Sequence, residues 1–264
     1  MARRRPRTLL AMAPGLRSRL LDDAATRRLR EVADVEPEFV LDDYAGPGAA
    51  AALAQAEILL TCWGAPAVDA RTLAAAPRLR AVVHAAGSVK QIVTDACWER
   101  GIVVSSAARA NSLPVAEYTV AMVLLSNKNV LRLREDYRAA RGRRPDRHQG
   151  HGHVGNYRRR LALMRDGATL INTARGSLVD GSALTAELTS GRLNAVIDVT
   201  EPEVLPADSP LYDLPNVLLT PHIAGSLGNE LHRMADSAIE EIARYGAGLP
   251  FAHAVRREDL HRTA

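Results

Sequence analysis

The sequence predicts an α/β protein built on parallel sheet, and three observations carry that expectation. Short apolar runs alternate with helix-length segments along the whole chain. The 264 residues are 47% hydrophobic, enough for one large core or two modest ones. Several polar residues stand just past an apolar run, where open α/β sheets bind their ligands.

Strands are expected over 8–13 (TLLAMA), 58–61, 81–85 and 102–105, with helical patterns between them. The letters GPGAAA at 46–51 fit a relaxed dinucleotide-binding glycine pattern, but the preceding FVLDDYA does not run directly into the turn. No acid ends the next strand either, so an ordinary loop and first helical turn is the better reading. From Pro114 to about residue 140 one long helix is expected, with proline suited to its first turn and Val115, Val120, Val123, Leu124 and Leu131 among its apolar positions. Residues 141–160 are rich in Arg, Gly and His, show no periodicity, and read as a loop. A strand at 168–172, a helix at 180–190, strands at 194–199 and 217–219 and a helix over about 229–245 follow. These are too few strands for a complete dinucleotide fold.

Composition excludes several classes of function. No run of 18 uncharged apolar residues occurs and no exported leader is recognisable, so the chain is expected neither to span a membrane nor to leave the cell. Cys62 and Cys97 lack metal-ligand spacing and make a poor disulfide framework, which fits a reducing cytoplasm. Net charge is +4, and Lys90 and Lys128 are the sole lysines. The basic stretches MARRRPR at 1–7 and RGRRPDR at 141–147 have no interleaved aromatics and no nucleic-acid-binding signature, so they read as solvated tail and loop. His148, His151 and His153 are close in sequence but lack a fourth ligand nearby, and no metal site is expected there.

Three residues in the C-terminal half make a chemically sensible set. Arg175, in NTARGSLVD (172–180), offers a planar fork that matches a carboxylate. Glu203, in DVTEPEV (198–204), has the charge to hold an imidazole, and His222, in TPHIAG (220–225), can move a proton near neutral pH. Singly, each has a plainer reading as surface cation, solvated carboxylate or loop histidine. Their order and combination carry the argument.

With these motifs the sequence resembles the D-2-hydroxyacid dehydrogenases, the family that includes phosphoglycerate, glycerate and formate dehydrogenases. HAAGSVK at 84–90 is similar to the family's carboxylate-binding glycine loop, and NSLPVAE at 111–117 to the start of its interdomain helix. The resemblance implies a flavodoxin-like substrate domain, 1–113 with 229–264, and a truncated Rossmann-type doubly wound domain, 114–228, with its interdomain helix at 114–140 and a loop at 141–160. It implies that Arg175 and the amides near Gly87 and Ser88 fix a small 2-hydroxy or 2-keto acid, and that His222 moves the hydroxyl proton while Glu203 stabilises its imidazolium. Thr173, Ala174, Arg175, Asp198, His222, Ala224 and Gly225 would line the nicotinamide end of an NAD or NADP site. Where the family often has proline after the glutamate, this chain has Val204.

The large departure lies between Tyr157 and Leu163, where YRRRLAL runs through and the family would have a strand, a G-x-G-x-x-G turn, a helix and further strands. The shortfall is roughly 60 to 70 residues, one mononucleotide-binding half. Without it the second lobe would expose sheet edge and apolar surface, so a homodimer through the 114–140 helix is expected. Two functions stay open: an oxidoreductase whose cofactor site is completed elsewhere, and a non-catalytic remnant that binds acids or partners. A parent chain that still has the segment is a third possibility, and intact mass against 28.5 kDa separates it.

Overall fold

The computed structural model describes residues 4–141, 154–155 and 161–260. Its elements begin with β1 (Arg7–Ala11), α1 (Leu16–Leu20), α2 (Asp23–Val32), β2 (Asp34–Leu41), α3 (Ala49–Gln55), β3 (Ile58–Thr61) and α4 (Ala70–Ala75). β4 (Ala81–His84), α5 (Asp95–Glu99), β5 (Val103–Ser106), α6 (Ala108–Asn127), α7 (Val130–Ala140) and β6 (Val154–Gly155) follow. The chain ends with β7 (Thr169–Asn172), α8 (Gly181–Thr189), β8 (Asn194–Ile197), β9 (Val217–Leu219), α9 (Leu231–Gly246) and β10 (Ala254–Val255). Two compact units result, Met1–Leu113 with Ser226–Ala264, and Pro114–Gly225.

In the first unit the strand order is β10-β5-β4-β3-β1-β2, parallel except for β10. This is the flavodoxin-like order with one antiparallel edge strand added. β3 and β4 are apolar and buried at every position save their closing Thr61 and His84, which are polar and buried too. Helices on both faces require that continuous pattern. Leu10, Leu60 and Val83 meet Leu20, Leu29, Met234 and Ile242 on one side. Leu9, Leu59 and Val82 meet Leu53, Leu73 and Cys97 on the other. The carboxylates of Asp22 and Asp69 cap α2 and α4 by accepting from the Ala25 and Thr72 amides. Gly48, from the GPGAAA stretch, stands in the left-handed region at the start of α3.

The second unit holds a four-stranded sheet, β6-β7-β8-β9, parallel throughout. Leu170, Ala195 and Ile197 pack with Leu184 and Leu188 of α8. Two expectations need correcting. The single helix expected over 114–140 is two helices, α6 from Ala108 and α7 to Ala140, and Pro114 lies inside α6. The break falls at Asn129, whose φ of 51° ends the first helix and starts the second. Asparagine is among the few residues that enter the left-handed region readily, and that backbone position stops an α-helix. The loop expected over 141–160 contains a strand residue pair, Val154–Gly155, hydrogen-bonded to β7. His148, His151 and His153 lie outside the described residues.

Candidate active site

Each chemically useful side chain of the second unit sits on a loop that leaves the carboxyl end of a strand. β8 ends at Ile197, and the next residue, Asp198, is 1% exposed. Its Oδ1 accepts from the Thr220 hydroxyl at 2.6 Å and the Ile223 amide at 2.8 Å, and its Oδ2 from the Ala224 amide at 2.8 Å. Its carbonyl accepts from the His222 amide at 2.9 Å. One buried carboxylate therefore secures the loop after β9, and a buried charge is tolerable there because three donors surround it. Held at both sides, His222 takes a φ of 54°, a conformation that costs a non-glycine residue free energy unless its surroundings enforce it.

The result is an imidazole facing a carboxylate. His222 Nδ1 lies 2.5 Å from Glu203 Oε1. In the neutral ring, the Nδ1–H donates to Glu203, which leaves Nε2 with a lone pair able to accept a proton. Glu203 is itself set by Thr200, whose one hydroxyl hydrogen is shared between the Pro202 and Glu203 carbonyls at 2.7 and 2.9 Å.

Arg175 follows β7. The side chain of buried Asn172 shapes this loop, accepting from the Ala174 amide at 3.2 Å and donating to the Arg175 carbonyl at 2.9 Å. Arg175 Nη1 donates to the Ala174 carbonyl at 2.6 Å, and among the described residues no carboxylate pairs with its guanidinium. Gly176 is required by close approach: a Cβ there would lie 2.0 Å from the Thr200 carbonyl carbon. Thus the arginine loop and the loop leading to Glu203 are in backbone contact. A hollow of about 920 Å³ opens beside α8, but Arg175, Glu203 and His222 are not in its lining.

In the first unit, β4 ends at His84 and leads into Gly87 and Ser88. Thr61 Oγ1 lies 3.0 Å from His84 Nδ1, and burial pushes the His84 imidazole down to about 4. Asn111 Oδ1 accepts from the Ser226 amide at 2.8 Å, and Asn111 Nδ2 stands 3.7 Å from where a Gly87 Cβ would be.

Comparison with known proteins bears on these loops directly. Residues 144–224 match the family model described as D-isomer specific 2-hydroxyacid dehydrogenase, NAD binding domain. A stretch of 86 residues is 44% identical to a glyoxylate/hydroxypyruvate reductase B of Pectobacterium atrosepticum. Residues 144–224 thus resemble the NAD-binding domain of the D-isomer specific 2-hydroxyacid dehydrogenases.

The match spans 32% of this chain and 27% of that relative. Structural likeness is broader. The TT0316 protein of Thermus thermophilus superposes with a TM-score of 0.72 at 25% identity, covering 94% of this chain and all of that one. A phosphoglycerate oxidoreductase of Rhizobium etli has a TM-score of 0.74 at 21% identity, covering 96% and 99%; a likeness at that identity shows the α/β fold.

The family's nucleotide has two ends, and the residues fit them unequally. Thr173, Ala174, Ala224 and Gly225 lie on the loops that leave the carboxyl ends of β7 and β9, where open α/β sheets bind ligands. Asp198 is a different matter, since three donors already occupy its carboxylate and it serves as a staple for the His222 loop. A pyrophosphate needs free amides at a helix N-terminus. The α8 N-terminus is taken by Asp180, which accepts from the Ala183 amide at 3.0 Å. Among the described residues of the second unit no G-x-G-x-x-G stands between a strand and a helix.

Sequence reasoning missed Asn172, Thr220, Tyr118 and Thr119, whose contacts are made with residues distant in the chain or carry no local signature. It also passed over GHGHVG at 150–155, which has the letters G-x-G-x-x-G, so the pattern itself is not absent. Its last two residues are strand β6, whereas in the dinucleotide fingerprint the final glycine stands in the helix that follows the turn.

Proposed function

We propose that the chain is an oxidoreductase for small 2-hydroxy and 2-keto acids. The observation that carries this reading is the His222–Glu203 pair, set in a loop stapled by buried Asp198. In the oxidative direction, Arg175 holds the acid's carboxylate through its planar fork. By family resemblance, the Gly87 and Ser88 amides of the first unit are carboxylate donors. His222 Nε2 takes the hydroxyl proton as C2 loses a hydride and the C2–O bond becomes a carbonyl. Glu203 offsets the positive charge that forms on the imidazole. In reverse, protonated His222 returns its proton to the keto oxygen. A nicotinamide nucleotide, NAD or NADP, supplies the hydride acceptor or donor when bound. Thr173, Ala174, Ala224 and Gly225 would line its nicotinamide end.

The apolar face of α6 supports a homodimer. Val120 and Leu124 are each 58% exposed, and a second copy packed against them would remove that surface from water. Cys62 and Cys97 are buried and unpaired, which goes with a reducing compartment, and we place the protein in the cytoplasm. No helix among the described residues is long and apolar enough to cross a membrane.

The test is consumption of NADH or NADPH with glyoxylate and hydroxypyruvate as oxidants. Turnover that disappears in His222→Gln supports the reading. The second reading, an acid-binding remnant without redox chemistry, is favoured by the capped N-terminus of α8. It predicts acid binding without nucleotide consumption.

A further inference from the structure

Two neighbouring residues of α6 reach two of the three loops of the second unit that bear the chemistry. The Tyr118 hydroxyl lies 3.1 Å from Thr220 Oγ1, and Thr119 Oγ1 lies 2.9 Å from Thr173 Oγ1. The direction of the first contact follows from counting hydrogens. A threonine hydroxyl has one, and that of Thr220 goes to the Asp198 carboxylate at 2.6 Å. Tyr118 O–H must therefore donate to Thr220. The same count makes Thr173 the donor to Thr119, whose own hydrogen goes to the Val115 carbonyl at 2.7 Å.

Tyr118, Thr220 and Asp198 thus form a directed chain that ends on the carboxylate holding the Ile223 and Ala224 amides. Each link polarises the next, and a hydrogen bond that ends on a charge is stronger than a neutral one. The segment between Thr220 and Ala224 carries His222 in its left-handed conformation, with Glu203 at 2.5 Å. We infer that Tyr118 is a positioning residue for His222, acting through Thr220 and Asp198 without touching the reacting atoms. The inference rests on the proposed proton-transfer role of His222 for its significance, but its geometry is testable without any turnover.

The experiment reads the His222 ring Cε1–Hε1 resonance in the isotopically labelled full chain, assigned by its loss in His222→Gln. Glu203→Gln shifts that resonance in the wild-type background. In a Tyr118→Phe background the shift caused by Glu203→Gln falls to half or less, and in Thr220→Val it is lost. In Thr119→Val, which alters the neighbouring contact on the same helix, it keeps its full size. An undiminished shift in Tyr118→Phe overturns the inference, as does an equal loss in Thr119→Val, which would assign the effect to the helix in general. Absence of nucleotide turnover contradicts the proposed reaction and leaves this result standing, so the two failures are distinguishable.

Discussion

His222 Nδ1 and Glu203 Oε1 stand 2.5 Å apart although the two side chains are 47% and 59% exposed. An exposed ion pair contributes little to stability, because water screens it and both side chains lose freedom. The contact is held by the loops that present it, so its removal should be felt in chemistry before it is felt in folding. Glu203→Gln is expected to leave the urea midpoint unchanged and to lower keto-acid reduction on the order of 10²-fold, the scale of a positioned proton-transfer group. Paired denaturation and steady-state measurements check both halves.

Gly176 should tolerate no side chain. A Cβ would come within 2.0 Å of backbone carbon at Thr200, which cannot rotate away as a flexible side chain would. Gly176→Ala is expected to destabilise the second unit by about 3 kcal/mol, the upper part of the range for overpacking. Gly191 is the contrast, with a φ of 73° and open space around it. Gly191→Ala pays only for its backbone conformation, about 1 kcal/mol. Urea unfolding of the two variants should separate close approach from backbone strain.

His84 makes folding pH-dependent. Its imidazole is buried and its proton affinity is lowered to about 4 by desolvation, whereas an unfolded histidine titrates near 6.5. Between those values the unfolded chain binds a proton that the folded chain does not. Stability from this group is complete above about pH 6.5 and is lost as pH falls toward 4, by up to roughly 3 kcal/mol. Unfolding free energies across that window should fall less steeply in His84→Gln than in the wild type.

The exposed face of α6 predicts self-association. Sedimentation at micromolar concentration should give a dimer, and Val120→Glu with Leu124→Glu should give a monomer by placing charge on the apolar face. A monomeric wild-type chain would contradict this.

Much of the fold was legible because parallel strands buried on both faces appear as short uninterrupted apolar runs. ILLT at 58–61 matches the fully buried β3 residue for residue, and VLL at 217–219 matches β9, which is half-buried at the sheet edge. β2 was not legible: DVEPEFVL contains three acids and a proline, which an edge strand accepts and a central one does not. The helix break at Asn129 was hidden because one left-handed asparagine leaves no periodic mark. At the site, the loops bearing Arg175, Glu203 and His222 were readable from their motifs. The work of Asp198 was not, since its carboxylate meets Thr220, Ile223 and Ala224 only after β8 and β9 pair. Tyr118 lies about a hundred positions from Thr220, and nothing local marks the pairing.

The most direct test of the central claim is a calorimetric titration of the mass-verified 264-residue chain with NADH, repeated with NADPH. The oxidoreductase reading predicts micromolar binding of one of them, about −8 kcal/mol. No heat at millimolar nucleotide would contradict it, because His222 and Glu203 would then have no hydride partner.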